Sequence, residues 1–381
     1  MKTLKRIIGF VFNFIFAGVA LCAVILLVFA LFGFDPRVLV SSIEGNNMYA
    51  QVLGDIAHNF ESNAGLTGPK ITPRDGEDIK PATIEFVFEE RTFSVTGVVD
   101  KSIYYGALNS PRSYTAAFYK SEQEKQAAYM SAFVNDPEQK PALDALCKGF
   151  RSVKKKHSFS RDEYAEFITK YVQSIPYDVE RASAGLLDKT LKGDPRFPVQ
   201  TIVDGKADCD EKVYLLAALL GHEGFGTAGF LYTPEKHMCL GIKSAGPGYQ
   251  GSGYEIVETT SPMYISEVPK EFAGGVQLTS KPDVIELTAG EKVYSESAVK
   301  DVKYVIHARE TALASAPSVK AKAEAANNEQ TFNHYKKMYK DCYEAYNTLQ
   351  STVDENGEHT SDFKDRDTAI SWLRGHGWWV K

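Results

Sequence analysis

Cysteine is scarce in this sequence, and its scarcity narrows the classes of protein to which the chain could belong. The 381 residues include five cysteines, at positions 22, 147, 209, 239 and 342. Proteins that depend on disulfide scaffolds are much denser in cysteine, and structural zinc sites usually show paired Cys-x-x-Cys motifs. The five cysteines here are scattered and form no such pair. The sequence therefore predicts neither a disulfide scaffold nor a zinc-finger site.

An excess of positive charge is also lacking. Lys and Arg total 43 against 49 for Asp and Glu, so the net charge is -6. This balance gives no general attraction to nucleic acid, and the short lysine run at 154–156 is typical of a solvated surface. The glycine-rich stretch 246–253 lacks the helix and Lys-Ser/Thr pair that follow a phosphate-binding loop. With 44% apolar residues, the chain can build one large core or two moderate ones.

One long apolar run lies near the N-terminus. Residues 7–34 carry no charge and follow Lys2, Lys5 and Arg6. As a helix, this run would be about 40 Å long, which exceeds the roughly 30 Å hydrocarbon core of a bilayer. A cleavable signal peptide normally has a shorter apolar region and a small-residue exit site, and neither fits here. The basic flank predicts a single-pass membrane protein with its N-terminus inside and its bulk extracytoplasmic.

The sequence after the apolar run predicts a linker followed by a small sheet. Residues 35–79 are mixed and rich in Gly, Asn, Asp and Pro, which is typical of a linker. In 83–99, apolar and polar residues alternate on both sides of the polar run 89–91. This alternation predicts two strands joined by a tight turn, with aromatic residues facing a larger body.

Helical periodicity marks two further regions. Ser160 and Glu163 form a capping-box pattern ahead of an amphipathic helix that Pro176 ends. From residue 291 onward the periodicity returns, with Pro317 expected to interrupt it and produce a helical hairpin or short coiled coil. Its two apolar stripes consist of Val302, Val305, Ile306 and Leu313, and of Phe332, Tyr335, Tyr339, Cys342, Tyr346 and Leu349.

Cys209 occurs where a polar turn gives way to a helix. Acidic residues follow it directly, then an apolar run at 213–220, and then Gly221. Acidic residues in a first turn and glycine after a last turn are helix start and stop signals. A cysteine at a helix N-terminus lies beside unpaired N–H groups and the positive end of the helix dipole, which favour a thiolate. Cys209 is therefore the candidate nucleophile.

A thiol nucleophile needs a base, and the base needs a group that orients it. His222 follows the end of the same predicted helix, a full helix length from Cys209, and is therefore out of reach. His237 begins a predicted strand, and Glu258 ends another, YEIVE. If these two strands are neighbours in one sheet, His237 lies beside Glu258, with the helix of Cys209 packed across them.

At this point the chain resembles the transglutaminase-like cysteine peptidase superfamily, whose fold is papain-like and whose catalytic Cys, His and Asp occur in that order. The resemblance covers roughly residues 80–270. It implies that Cys209 is the nucleophile, His237 the base and Glu258 the acidic orienter. The family usually has Gly-Asp-Cys, whereas Ala207 precedes Asp208 here, and the third member is usually Asp. The matching pieces are YVQSIPY, the run 196–220, KHMCLGI, YEIVETTSP and the strand pair TIEFVFEERTFSVTGVV.

The expected fold class is α+β, with a papain-like transglutaminase core in which the helix bearing Cys209 packs on an antiparallel sheet. We divide the chain into a cytoplasmic N-terminus and membrane anchor (1–34), a linker (35–79), a transglutaminase-like domain with its preceding β element (80–285) and a helical C-terminal region (286–381). Expected partners are a protein or peptide substrate, the membrane through the N-terminal helix, and a protein bound by the C-terminal helices.

The expected function is hydrolysis or transfer of amide bonds through a thioester at Cys209, with no metal or organic cofactor. The backbone N–H of Cys209 is the natural oxyanion donor, and Gln200 or Gln173 could supply a side-chain amide. One alternative is a catalytically silent module of the same fold that serves as a binding or scaffold domain. Another is a metal site at His237 and Cys239, which is disfavoured because the sequence shows no further ligand pair.

Overall fold

The computed structural model describes residues 69–112, 121–182, 195–268, 277–349 and 364–376. The chain forms two compact units, of which one comprises residues 1–69 and 111–129 and the other residues 70–110 and 130–381. The described part of the first unit is short and includes the first turns of one helix, and the features below belong to the second unit. In chain order, the elements are β1 (Thr83–Phe88), β2 (Arg91–Thr96), α1 (Lys101–Leu108), α2 (Glu122–Val134), α3 (Lys140–His157), α4 (Arg161–Gln173), α5 (Pro198–Asp204), α6 (Cys209–His222), β3 (Thr227–Tyr232), β4 (His237–Lys243), β5 (Tyr254–Val257), β6 (Asp283–Thr288), α7 (Glu296–Glu324), α8 (Glu329–Leu349) and α9 (Arg366–Gly375).

Strands β1 and β2 form an antiparallel hairpin, as the alternation predicted. Its turn consists of Glu89 and Glu90, both with positive φ (47° and 63°). The apolar side of β1 is buried, and Phe86 and Phe88 pack on Phe167 of α4 at ring separations of 5.3 and 5.5 Å. Aromatic contacts of this kind bury large areas and fix the hairpin on the helix.

Helix α4 has the predicted N-terminal capping box. The Ser160 hydroxyl accepts from the Glu163 backbone N–H at 3.2 Å, and the Glu163 carboxylate accepts from the Ser160 backbone N–H at 2.7 Å. The helix ends at Gln173, because Pro176 follows two residues after the Ser174 cap. Helix α4 is one of the elements packed against α6.

A four-stranded antiparallel sheet has the order β5-β4-β3-β6. In the β3–β4 hairpin, Tyr232 pairs with His237, so His237 is the first residue of β4. Strand β5 pairs with the other edge of β4, with Leu240 opposite Val257. The register therefore brings the end of β5 to the beginning of β4.

Helix α6 is buried over almost its whole length, from Glu211 to Leu220. It packs on β4, β3 and β6 and against α3, α4 and α5. Its apolar run from Val213 to Leu220 covers every side of the helix, and such a segment is stable only inside a core. The predicted arrangement of the Cys209 helix on an antiparallel sheet is thus observed, and the chain is α+β.

The C-terminal helices α7 and α8 pack along each other. Helix α7 continues through Pro317, so the predicted interruption is wrong. Pro317 lies on the exposed side, where the carbonyl that loses its N–H partner can bond to water. Leu313 is 40% and Phe332 41% exposed, so the predicted apolar stripes are only partly buried. One contact between the helices joins Ala316 and Val319 of α7 to Cys342 of the predicted second stripe, with Tyr335 and Tyr339 of the same stripe packed beside them.

Helix α9 docks on the body of this unit. Ile370 and Leu373 are buried beside Val302 of α7. The Arg366 guanidinium pairs with Glu166 of α4 at 2.7 Å, and the Asp365 carboxylate accepts from the Glu89 backbone N–H at 2.8 Å. The described part of the chain end, to residue 376, therefore contacts the body of this unit.

The predicted membrane segment 7–34 and most of the linker 35–79 lie outside the described residues. Among the helices that are described, none is both long and apolar enough to cross a bilayer.

Candidate active site

Cys209 is the first residue of α6. Asp208 caps the helix by accepting from the Glu211 backbone N–H at 3.2 Å, and Glu211 accepts in return from the Asp208 backbone N–H at 3.1 Å. The reciprocal bonds of this capping box fix the helix start, and with it the direction in which the cysteine leaves the backbone.

A charged network fixes the turn ahead of Cys209. The Arg196 guanidinium pairs with Asp178 at 2.8 Å and Glu211 at 3.4 Å and donates to the Lys206 carbonyl at 2.8 Å. Arg181 adds a pair with Glu211 at 2.7 Å. Although burial and the charge of Asp208 raise the pKa of Glu211 to about 7, both arginines oppose that shift. Arginine networks of this kind position a backbone well because their donor geometry is rigid.

His237 and Glu258 form a hydrogen-bonded pair. The distance from His237 Nε2 to Glu258 Oε2 is 2.9 Å, and the histidine and glutamate side chains are 12% and 0% exposed. Thr260 donates to Glu258 Oε1 from its backbone N–H at 2.7 Å and also from its hydroxyl. Burial alone would raise the pKa of Glu258, but the charge of His237 and the hydrogen bonds from His237 and Thr260 together lower it. The carboxylate is therefore kept ionised, as an orienting group requires.

The Cys209 sulfur lies at the beginning of β4. It accepts a hydrogen bond from the Met238 backbone N–H, next to His237 in the chain. The thiol also donates to Asp210 Oδ1 at 3.3 Å. Burial raises the pKa of Cys209 well above its usual range, and the charges of Asp210 and Asp208 raise it further. Burial and these two carboxylates therefore oppose the thiolate that the helix N-terminus was expected to favour.

A buried lysine lies behind the pair. Lys212, one turn after Cys209, is 0% exposed and donates to the Gln173 carbonyl at 3.1 Å. The Gln173 amide in turn donates to the Glu258 carbonyl at 2.8 Å and the Met263 carbonyl at 3.1 Å. These bonds connect the helix of Cys209 to the end of β5. They also occupy the Gln173 amide, which was a candidate oxyanion donor.

The other side-chain candidate for the oxyanion site also has a structural role. Gln200 Oε1 accepts from the Phe197 backbone N–H at 2.9 Å at the start of α5. The Cys209 backbone N–H, at the first position of α6, belongs to the group of N–H donors that a helix leaves without an intrahelical partner. It is the oxyanion donor that the geometry favours.

Sequence reasoning missed Tyr177, the contact of Cys239 with Glu258 and the contact of Asp210 with Cys209. Tyr177, whose backbone bridges to Ala207, has its pKa raised by burial and by the charges of Cys209 and neighbouring carboxylates. Cys239, two residues beyond His237 on β4, donates to Glu258 Oε2 at 3.3 Å. The acidic first turn of α6 was visible in the sequence, but nothing there indicated that Asp210 turns back to the sulfur.

The structure thus brings His237 and Glu258 into contact and places Cys209 at the same end of β4. His222 lies at the opposite end of α6 and bonds to Asp144 at 2.5 Å. Comparison of the chain with protein-family models, with curated proteins and with solved structures found no match.

Proposed function

We propose that this protein is a thiol enzyme that acts on amide bonds through Cys209, His237 and Glu258. The observation that carries the proposal is the His237–Glu258 pair, at 2.9 Å with a fully buried carboxylate, beside a cysteine at a helix N-terminus. An ionised carboxylate that bonds to one nitrogen of an imidazole orients the ring and stabilises it when it accepts a proton as a base. The proposal includes the transglutaminase-like, papain-like architecture and a membrane anchor at 7–34 that holds the enzyme outside the cytoplasm.

The chemistry follows from the positions of these groups. Glu258 holds Nε2, so Nδ1 of His237 takes the proton as the sulfur of Cys209 attacks the substrate carbonyl. The S–C bond forms, and the oxyanion is bound by the Cys209 backbone N–H. The C–N bond then breaks, and His237 gives its proton to the leaving amine. Water attack on the thioester completes hydrolysis, whereas attack by a second amine gives transfer, and we favour hydrolysis.

The resting state of the nucleophile matters to this mechanism. Because burial, Asp210 and Asp208 raise the pKa of Cys209, the sulfur rests as a thiol that donates to Asp210. Proton transfer to His237 therefore accompanies the attack, rather than preceding it as a preformed ion pair. General-base assistance of this kind typically accelerates a reaction by about 10²–10⁴-fold.

Alkylation of Cys209 by iodoacetamide tests the proposal. The full chain in detergent is labelled between pH 6 and 9, and mass spectrometry gives the rate at each cysteine. We expect His237→Ala to slow labelling at Cys209 by at least about tenfold near pH 7.5, because the base is lost. His222→Ala is the matched control, since that histidine lies at the far end of α6 and bonds to Asp144. Equal rates in the wild type and His237→Ala would favour the silent binding or scaffold module.

Asp210→Asn provides a second, independent test. Removing this charge eliminates one of the causes that raise the thiol pKa, and an amide oxygen still accepts from the sulfur. We expect faster labelling of Cys209 at pH 8 in this variant, with labelling of Cys342 unchanged. A rate no higher than that of the wild type would contradict the interpretation of Asp210 as a group that holds the thiol protonated.

A further inference from the structure

Three metal-ligand side chains converge at the candidate active site. One ligand atom from each of His237, Cys239 and Glu258 lies within 4.8 Å of the others. The Glu258 Oε2 atom is 2.9 Å from His237 Nε2 and 3.3 Å from Cys239 Sγ. Alternate positions on β4 place His237 and Cys239 on one side of the strand, and the end of β5 supplies the third ligand. The sequence already indicated His237 and Cys239 as possible ligands, whereas the pairing of β4 with β5 is what adds the Glu258 carboxylate.

The chemistry of this ligand set fits Zn²⁺. A nitrogen, a sulfur and an oxygen are the three donor types that zinc binds in proteins. Bonds of about 2.0–2.3 Å in a tetrahedron separate ligand atoms by about 3.4 Å. The Glu258 Oε2 atom is close to that separation from each of the other two ligand atoms, at 2.9 and 3.3 Å. Zinc sites with three protein ligands keep a fourth position open for water or another small ligand. Partial exposure of the His237 side chain, at 12%, gives solvent a route to the site.

Neighbouring residues already hold the Glu258 ligand in place. Glu258 Oε1 accepts from Thr260, which fixes the orientation of the carboxylate. The Glu258 main-chain carbonyl accepts from the Gln173 amide at 2.8 Å. Cys239 and Glu258 are each 0% exposed. Outer partners of this kind orient ligands in advance and strengthen metal binding, often by about 10–100-fold.

We propose that His237, Cys239 and Glu258 form a Zn²⁺ site and that zinc inhibits the chemistry of Cys209. Binding displaces the thiol proton of Cys239 to solvent, and the resulting thiolate, the carboxylate and His237 Nε2 bind the ion. A neutral imidazole that binds metal through Nε2 carries its proton on Nδ1. That nitrogen then cannot accept the proton of Cys209. The inhibition of Cys209 by zinc rests on the proposed function, whereas the binding of zinc to these three residues does not.

Zinc binding to the full chain in detergent tests the first part. Competition with a chromogenic chelator gives the stoichiometry and affinity for Zn²⁺ in the wild type, Cys239→Ser, Cys342→Ser and Cys147→Ser. We expect one Zn²⁺ per chain and a loss of at least about tenfold in affinity in Cys239→Ser alone. Cys342 is buried between α7 and α8 and serves as the matched control. Cys147 is included because it forms a second ligand cluster with His222 and Glu223.

The proposed site would be overturned if the wild type bound no Zn²⁺ or if Cys239→Ser bound it with the same affinity as the wild type. It would also be overturned if only Cys147→Ser lost affinity for Zn²⁺. Co²⁺ adds a spectroscopic readout that does not depend on affinity, since a cobalt–thiolate absorption band should form in the wild type and Cys342→Ser and be absent in Cys239→Ser. A band of equal intensity in Cys239→Ser would contradict the assignment.

The inhibition is tested by alkylation of Cys209 with and without Zn²⁺. We expect zinc to slow labelling at Cys209 in the wild type by at least about tenfold, the same factor that loss of the base should produce. In Cys239→Ser the effect should disappear at the same concentration of zinc. If zinc binds through Cys239 and leaves the rate unchanged, the inhibition is wrong. If labelling is independent of His237 even without metal, the proposed function fails while the zinc site remains.

Discussion

Replacing the buried Lys212 by methionine should stabilise the protein at neutral pH. Lys212 is 0% exposed, and the one hydrogen bond shown for its ammonium group runs to the Gln173 carbonyl. Burial lowers its pKa from 10.5 to about 7, while the negative charge of Glu258 opposes that shift. Methionine has a similar length and is well suited to fill a core position. The substitution therefore removes a desolvated charge and leaves the packing of α6 nearly unchanged.

The magnitude follows from the linkage between protonation and folding. A lysine with a pKa of 10.5 unfolded and about 7 folded destabilises the folded state by roughly 4–5 kcal/mol at pH 6. The unfolded state binds more protons between those values, so this penalty shrinks as pH rises above 7. Loss of the bond to Gln173 offsets about 1–3 kcal/mol of the gain. We expect Lys212→Met to be more stable by roughly 2 kcal/mol at pH 6 and to lose that advantage by pH 9.

Urea denaturation of the wild type and Lys212→Met at pH 6, 7, 8 and 9 measures this difference. Lys148→Met, at an exposed position of α3, is the matched control and should change stability little at any pH. Titration of the cysteines affects all three proteins equally, so the difference between variants isolates the lysine. Parallel stability curves for the wild type and Lys212→Met from pH 6 to 9 would refute the reasoning, because Lys212 would then carry its charge without a burial penalty.

Other positions give simpler tests. Gly248→Ala should destabilise the protein strongly, because φ is +69° and a Cβ would lie 2.4 Å from the Tyr254 backbone nitrogen, whereas Gly251→Ala, at φ +75° with open space around it, should cost about 1 kcal/mol in urea denaturation. Burial and a hydrogen bond with Glu163 raise the pKa of Glu89 to about 7. The contribution of Glu89 to stability therefore falls as pH rises from about 4.5 through 7. In urea denaturation, Glu89→Gln should be more stable than the wild type by on the order of 1 kcal/mol at pH 8 and equally stable at pH 4. Equal stability at both pH values would mean that the Glu89 carboxyl ionises normally.

Local signals in the sequence located the main parts of the candidate site. The acidic first turn and the following apolar run placed the start of α6 at Cys209, and the structure begins the helix at that residue. The strand that starts at His237 was also predicted, and the strand predicted to end at Glu258 ends one residue earlier, at Val257. These predictions succeeded because caps, periodicity and turns depend on residues only a few positions apart.

The same local signals failed where the outcome depends on how the folded chain surrounds a residue. Pro317 normally ends a helix, yet packing of α7 on α8 holds the helix together through it. The helix N-terminus predicted a thiolate at Cys209, but Asp210 and burial raise the pKa of its thiol. Neither effect is visible from the spacing of residues, since each depends on which groups are removed from water together.

The sequence alone determined the α+β class, the helix that begins at Cys209 and the two strands that carry His237 and Glu258. Tertiary structure alone decided the 2.9 Å contact between His237 and Glu258, and the burial of Lys212 behind them. It also brought Cys239 to the same carboxylate. Hydrogen bonds within a helix or turn join near neighbours, whereas the pairing of β4 with β5 and the loss of solvent around a charge arise only when distant segments pack.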